Sequence, residues 1–493
     1  MLEIITLTLQ AGGRLVQLNK GVLCMMKSLA KQPHQALPES SDSASKLSDQ
    51  LMVTPDADIS TGQAVVLGLQ HLLAMDVYVV PIIIAGMLSL PFANKMGLIQ
   101  ATFLAAGIGT ILQTGVFMRM PVTQGASFVP LGALAGIYLA AGGGNTGMAT
   151  IFGSLIVGAV FVLLLGFSHT VPKLIHKFVP SLVGGTIITN VGLSLIPSAL
   201  NDNSFKASGH LNTNVLLGVI TAATLVVCVI ISLHLPQFDR VFRLGSILIA
   251  LAVGTISAAF MGDLSLSSVA NAPWFSLPKF AISSYGLRFS LSPILTMLII
   301  YVVLMTETTG TWFAVSAVTG TKLTTQRINR GVFGEGVSCL VSALVGATPV
   351  TGYSTNAGII SITGVASKRA FISAGIWFVL FSFVGKLSAL LAAIPSAVIG
   401  GVFAIICSTI MLNGLKVVSQ SHFVERDLYI LGIPIILTMA LVLMPASLKT
   451  EAPTFVQYLL DSPIATAAIT AIILNQLLPD NTQSKLIQKR QES

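Results

Sequence analysis

The sequence predicts an all-α polytopic membrane protein: fourteen transmembrane segments as seven-plus-seven inverted repeats, with two short strand/half-helix segments crossing at the midplane. Three observations predict it. Only 9% of the 493 residues are Asp, Glu, Lys or Arg, while 54% are apolar; a soluble domain carries roughly 25% charged residues. Apolar runs of about 20 residues, the length that spans a bilayer as a helix, recur along the chain. Two shorter runs, far apart, open with the same tripeptide. Such a composition excludes a soluble enzyme, a nucleic-acid binder, a disordered scaffold and a secreted disulfide domain. The four cysteines (Cys24, Cys228, Cys339 and Cys407) are far apart, with no metal-ligand spacing, and read as small buried apolar residues.

Residues 1–60 read as a disordered cytoplasmic tail, because Ser40 to Asp58 is polar and rich in Ser and Asp. Its start is a poor signal peptide: the first charge is Glu3, and Gly12, Gly13 and Arg14 break the apolar run. A start at Met25, Met26 or Met52 fits equally well. The first repeat, 61–265, holds spans near 64–87, 97–118, 147–168, 178–199, 213–234 and 243–262. The second, 290–480, holds spans near 291–317, 332–348, 370–394, 397–415, 428–447 and 463–479, followed by a short cytoplasmic tail at 481–493. Each repeat gains its seventh crossing from a short segment, 126–141 in the first and 356–366 in the second. The latter is too short to cross as a helix at ~1.5 Å per residue, so each needs an extended lead-in.

Loop charges support this count. With both termini inside the plasma or inner membrane, twenty of the 26 Lys and Arg residues fall in inside segments and five (Lys95, Lys206, Lys279, Arg288 and Lys449) outside. Lys386 lies within a span and is expected to snorkel to the outer interface. The asymmetry obeys the positive-inside rule, and it needs both short segments as crossings. The net charge of +8 is therefore a signal of topology and of a lipid partner, not of nucleic acid.

The short segments echo each other: Pro121-Val122-Thr123 and Pro349-Val350-Thr351, with Gly136 aligned to Gly364. Pro180-Ser181-Leu182-Val183-Gly184-Gly185 likewise resembles Pro395-Ser396-Ala397-Val398-Ile399-Gly400-Gly401. Seven crossings separate the partners, so the repeats are inverted, and interrupted segments at matching places in inverted repeats point to a secondary transporter. A half-helix that begins near the midplane leaves its first N–H groups unpaired, and its positive dipole end favours a ligand's carbonyl oxygens or negative charge. The site is expected between Ser127–Val129 and Thr355–Ala357.

Few ionisable residues fall within spans, and each costs about 2.5–3.5 kcal/mol at a helix centre. Glu307, in mid-span, is the leading candidate to accept N–H bonds from a polar ligand or to take up a proton. Glu335, between Gly334 and Gly336, reads as a second proton carrier or as an N-terminal carboxylate stabilised by its helix dipole. His71, after Gln70, reads as a structural latch onto 123–128, the alternative being a proton shuttle. Asp76 sits 140° around a helix from His71 and either lines the cavity or pairs with another helix. Asn356 is expected both to cap its half-helix and to offer its amide to a ligand.

Four stretches together resemble the nucleobase–ascorbate transporter family, also called nucleobase:cation symporter 2 or the xanthine/uracil permease family. They are Gln70-His71, Arg119 to Phe128 (with Gln124, Ser127 and Phe128), Glu307-Thr308-Thr309-Gly310, and Thr355 to Gly364, in which Asn356, Gly358 and Thr363 match the signature spacing. The resemblance spans roughly 62–480. It implies a core domain of spans 1–4 and 8–11, a gate domain of spans 5–7 and 12–14, and proton-coupled uptake of a purine or pyrimidine base, commonly as a homodimer. The proton is the coupling ion, sodium being left open, and no cofactor is implied. Glu307 takes the substrate-binding position, with Ser127, Thr355, Asn356 and Ala357 around it and Phe128 stacking on the base, worth ~0.5–1.5 kcal/mol. Glu307 and Glu335 carry the coupling; Gln70, His71, Asp76, Gln124, Thr311, Gly358 and Thr363 support the site. Thr355 departs from the Gln, Glu or Pro usual at its position, Asp76 from an aromatic residue, and Thr311 from Asp or His. These departures leave xanthine, urate and uracil open. Two other classes compete. An anion carrier of the sulfate-permease type shares the fold, but normally has a large C-terminal domain, where about 14 residues follow the last span here. A membrane-embedded enzyme needs a nucleophile–base pair or metal ligands, for which no motif appears.

Overall fold

A computed structural model describes residues 51–168, 177–207, 209–353, 355–419, 424–445, 448, 460 and 462–478. The N-terminal residues 1–50, with Cys24, and the C-terminal tail 481–493 lie outside the described residues. Ten described helical stretches are long and apolar enough to cross a membrane. In the first half, α1 (Thr61–Ala74), α2 (Val79–Met87) and α3 (Phe92–Leu112) lead into a π-helical turn, Gln113–Phe117. Strand β1 (Gln124–Ala126), α4 (Leu131–Ala140), α5 (Gly144–Ser168), α6 (Ser181–Pro197), α7 (Leu211–His234) and α8 (Asp239–Phe260) follow. The second half runs α9 (Leu291–Thr319), α10 (Thr325–Val345), β2 (Val350–Gly352), α11 (Asn356–Thr363), α12 (Lys368–Ser382) and α13 (Gly385–Ala392). It ends with α14 (Ser396–Val418), α15 (Glu425–Leu443) and α16 (Pro463–Leu477).

Two expected spans are broken helices. The first stops at Met75, which is extended (φ −94°, ψ 126°), and restarts at Val79. Pro81 explains the break: it lacks an N–H and is tolerated only in a first turn, which α2 provides. His71 and Asp76 therefore do not share one helix, and the 140° separation does not apply. The span expected at 370–394 breaks at Phe383–Val384. There the linker between the halves bonds to the open backbone, Ser276 N–H to Phe383 O at 3.0 Å and Gly385 N–H to Trp274 O at 3.0 Å. Lys386 lies just past this break, half-buried, donating to Ala270 O at 3.0 Å with its ammonium 5.3 Å from the Trp274 ring centroid.

The chain expected as disordered tail is docked in its last ten residues. Val53 exchanges backbone bonds with Gly364 and Ala366 (2.9 and 2.8 Å), Asp56 and Asp58 pair with Lys368 and Arg369, and Ser60 caps α1 through a capping box. Ile59 and Val365 bury together. A tail boundary at 60 is thus ten residues late: the Asp side chains stay exposed, as composition suggests, but the backbone pairing of Val53 and the burial of Ile59 fix the segment.

Helices pack in two groups. One joins α1, α3, α5, α9, α10 and α12; the other joins α6, α7, α8, α14, α15 and α16. Glycine sets the closest crossings, since small residues let backbones meet where lipid supplies no hydrophobic drive. At the α6–α14 crossing, a Cβ on Gly192 would stand 2.5 Å from Cys407 O and from Met411 N, and one on Gly414 would stand 2.3 Å from Thr189 N. Both helices open after the echoed Pro-Ser pairs, at Pro180 and Pro395. We expect Gly192→Val to force this crossing apart. Overpacking costs about 1–3 kcal/mol where neighbours yield and more against backbone, so detergent-extracted protein should lose most of its monodisperse peak in size-exclusion chromatography. An unchanged profile would contradict the close crossing.

The two short segments meet in an antiparallel ladder, Gln124 opposite Gly352, Gly125 opposite Thr351 and Ala126 opposite Val350. The Pro-Val-Thr echo lies at this pairing but not in the same register: Pro121–Thr123 lead into β1, whereas Val350 and Thr351 belong to β2 itself. The glycine echo is not equivalent: Gly364 ends α11 at φ +68°, whereas Gly136 lies inside α4. In the first copy the helix simply continues.

Candidate functional site

Glu307 lies half-buried in α9. Ser127, just beyond β1, donates its hydroxyl to Glu307 Oε2 at 2.7 Å and accepts Val129 N–H at 3.1 Å. The carboxylate thus stands where the paired strands give way to the two half-helices. Neither half-helix has a side-chain cap: α4 opens at Pro130 and α11 at Thr355, both in helical backbone without a capping bond. Their dipoles point a positive end at the junction. Thr355 is exposed and Ala357 buried, while a Cβ on Gly358 would meet nothing within 4 Å. Phe128 is half-buried and stacks on Phe403 of α14 across the two helix groups, with centroids 6.5 Å apart and planes 22° from parallel.

Asn356 departs from both of its expected roles. Thr355 takes the cap position, and the Asn356 amide is fully buried, with Nδ2 donating to Pro121 O at 2.8 Å and Oδ1 accepting from Thr123 Oγ1 at 3.3 Å. It braces the crossing. Thr123 also meets His71 Nε2 at 2.8 Å. Its one hydroxyl proton goes to Asn356, so His71 Nε2 carries the hydrogen and donates, and the imidazole packs 4.2 Å from the Phe371 centroid. Gln70, half-buried in α1, immediately precedes it. Asp76 occupies the break after α1, where its carbonyl accepts from Tyr353 Oη at 3.2 Å. Tyr353 in turn lies over Gly125, where a Cβ would stand 2.3 Å from its ring.

Glu335 sits in the interior of α10, which starts at Thr325, so a stabilising N-terminal dipole does not reach it. It is fully buried, and three donors converge on its two oxygens: Gln113 Nε2 at 2.8 Å, Thr308 Oγ1 at 2.8 Å and Gly352 N–H at 2.9 Å. Thr308 adjoins Glu307, so the two acids belong to neighbouring parts of one polar region. Gln124 is buried in β1 opposite Gly352. Two expected contributors face their own helices instead: Thr311 donates to Glu307 O at 3.2 Å, and Thr363 to Ile359 O at 2.8 Å, where it also receives Val365 N–H and ends α11. Gln113, Tyr353 and Phe403 are not singled out by the sequence, and Thr123 and Thr308 stand in the quoted motifs without a role assigned to them. Gln113 alone had a usable signal, a buried-type polar residue deep in an apolar span. Alongside α9, a crevice of about 430 Å³ between Thr306, Thr309, Gly310 and Phe313 on one wall and Pro180 and Gly184 on the other opens next to the site.

Comparison with known proteins gives the family of the chain. The family model Xan_ur_permease, described as a permease family, matches residues 62–447. The uric acid permease PucJ of Bacillus subtilis is 32% identical over 425 residues, covering 83% of this chain and 91% of that protein. The uric acid transporter UacT of Escherichia coli is 29% identical over 431 residues, 85% and 87% of the two chains. Among solved structures, the transmembrane domain of a cyanobacterium bicarbonate transporter, BicA, superposes with a TM-score of 0.54 at 14% identity, covering 85% of this chain and all of that one. The murine anion transporter Slc26a9 in its inward-facing state gives 0.56 at 12%, covering 92% and 74%. At these identities the likeness is one of fold. With the family model matching most of its length, the chain belongs to the xanthine/uracil permease family and is an integral-membrane transporter.

Proposed function

We propose that the protein is a secondary active transporter that takes up a purine or pyrimidine nucleobase with protons by alternating access. The observation that carries this is Glu307, hydrogen-bonded to Ser127 at 2.7 Å between two uncapped half-helix starts. A nucleobase is flat and neutral, with ring N–H donors beside C=O acceptors. The carboxylate suits the donors, the half-helix N–H groups suit the acceptors, and Phe128 offers a ring to stack on. In this reading fourteen segments cross the membrane and the β1–β2 ladder lies at the midplane. Spans 1–4 and 8–11 form the core, and spans 5–7 and 12–14 the gate, in line with the two packing groups. Both termini face the cytoplasm, and the protein works as a homodimer without enzymatic chemistry. A carrier of small inorganic anions is disfavoured because such ligands bring no N–H donors to the Glu307 carboxylate.

Uptake of labelled xanthine, urate, hypoxanthine, guanine and uracil by expressing cells tests this. We expect concentrative uptake of at least one base, collapsing with a protonophore. A 100 mV potential supplies ~2.3 kcal/mol per charge, enough for about 50-fold accumulation. Membrane-inserted protein that moves none of these bases would overturn the substrate class, and uptake that survives the protonophore but needs sodium would overturn the proton.

A further inference from the structure

The ends of α3, α5 and the first turns of α10 enclose a second cavity, of about 460 Å³, away from Glu307. Arg119 and Arg330 line it, and among the described residues neither guanidinium has an acidic partner. Asn329, only 7% exposed, also lines it, and its amide oxygen is buried without a hydrogen-bond donor. The remaining wall is aromatic: Phe333 meets Phe117 and Phe167 edge-on, at 5.5 and 4.6 Å between centroids. Phe167 is 62% exposed, so this wall runs out onto the outer surface of the helices. Arg119 holds a left-handed backbone conformation (φ +52°), one of two non-glycine residues that do so among those described. A strained backbone of this kind persists only where its surroundings hold it. Here Gln113 O at the head of the π turn accepts the Arg119 N–H at 3.1 Å, fixing the residue at the cavity mouth.

We propose that this cavity binds an anionic phospholipid with a hydroxyl-bearing headgroup, of the phosphatidylglycerol type, in the inner leaflet. Two guanidiniums match a phosphodiester, which they contact through paired N–H donors. The orphaned Asn329 oxygen accepts a headgroup O–H. The exposed aromatic wall takes the start of an acyl chain, which a soluble phosphate ester would leave bare. Basic pockets between helices at the cytoplasmic face bind anionic headgroups by the same physics. The leaflet assignment rests on the orientation proposed above. The lipid would also hold the π turn that presents Gln113 to Glu335.

Delipidated full-length protein in detergent, titrated with phosphatidylglycerol, phosphatidylcholine, phosphatidic acid and free glycerol-3-phosphate, tests this by native mass spectrometry and melting temperature. Phosphatidylglycerol is expected to bind and raise the melting temperature, with phosphatidylcholine and glycerol-3-phosphate inert at equal concentration. Arg330→Gln, on an exposed helix position, should weaken phosphatidylglycerol about fivefold; Arg119→Gln should do the same if its backbone tolerates the change. Asn329→Leu should erase the preference for phosphatidylglycerol over phosphatidic acid while keeping binding of both. Equal binding of phosphatidylcholine, an equal response to glycerol-3-phosphate, or undiminished binding by Arg330→Gln overturns the site. Labelling of Arg330→Cys by an impermeant maleimide separates the two readings. Reaction from outside intact cells with lipid selectivity retained overturns the leaflet and the orientation; protection from outside with no lipid selectivity overturns the lipid site alone.

Discussion

Glu307→Gln is expected to lower the affinity for the transported base by about ten- to a hundredfold, since a hydrogen bond to a charged group contributes ~1.5–3 kcal/mol. The amide keeps an oxygen for the Ser127 hydroxyl, which lies 2.7 Å from Oε2, so the local structure should hold. What changes is the second position of the carboxylate, which becomes a donor facing the ring N–H groups of the base. The amide also cannot take up a proton, so any remaining uptake should equilibrate the base rather than concentrate it. Ser127→Ala is the companion: it removes the hydroxyl bonded to the carboxylate, a bond worth ~1.5–3 kcal/mol when the acceptor is charged, and leaves the acid in place. Competition by unlabelled base in membrane vesicles reads affinity, and the plateau of labelled uptake with and without a protonophore reads coupling. Wild-type affinity together with full accumulation in Glu307→Gln would remove Glu307 from both roles.

The parts of this site legible in the sequence are those where polarity conflicts with lipid. Glu307 and Glu335 stand out because a charged group deep in an apolar span is expensive. The two short segments stand out because both fall below the length of a spanning helix, the second, with eleven residues, far below it. Hydropathy says nothing, however, of the backbone's path. The break at Met75 to Tyr78 is set by Pro81 acting on a run that remains apolar, and the break at Val384 by a linker arriving from residues 274–276. Side-chain direction is equally hidden. Asn356 matches a signature spacing, yet its amide is spent on Pro121 and Thr123 within the crossing. Tyr353 and Phe403 come to the site through pairings between distant segments, Tyr353 over Gly125 and Phe403 against Phe128. No local pattern marks either one. The same limit applies to 51–60, whose polar composition hides the backbone pairing of Val53 with Gly364 and Ala366.

Glu335 offers a test that separates architecture from transport, because its two oxygens satisfy donors from three places. Glu335→Ala leaves Gln113 Nε2, Thr308 Oγ1 and Gly352 N–H facing a void. Gln113 Nε2 keeps Gly331 O, and Gly352 N–H keeps Thr308 Oγ1 at 3.3 Å. The lost bonds to a charged acceptor and the void together still cost several times the ~1–3 kcal/mol of one unmet polar group. That is a large share of a typical stability of ~5–15 kcal/mol, so much less folded protein is expected. Glu335→Gln is gentler. With its oxygen at the Oε1 position it still accepts from Thr308 and Gly352. Its new NH₂ faces Gln113 Nε2, and Gln113 cannot simply turn its own oxygen inward, because Nε2 also donates to Gly331 O at 2.8 Å. One bond is lost, at about 1–3 kcal/mol, and a folded protein with a lowered melting temperature should result. If Glu335 takes part in proton coupling, that folded variant should bind the base near wild-type affinity yet fail to concentrate it. If Glu335→Ala fails to fold while Glu335→Gln accumulates base fully, the buried acid acts as a brace joining α9, α10 and the strand crossing, and Glu307 is left to handle the proton alone.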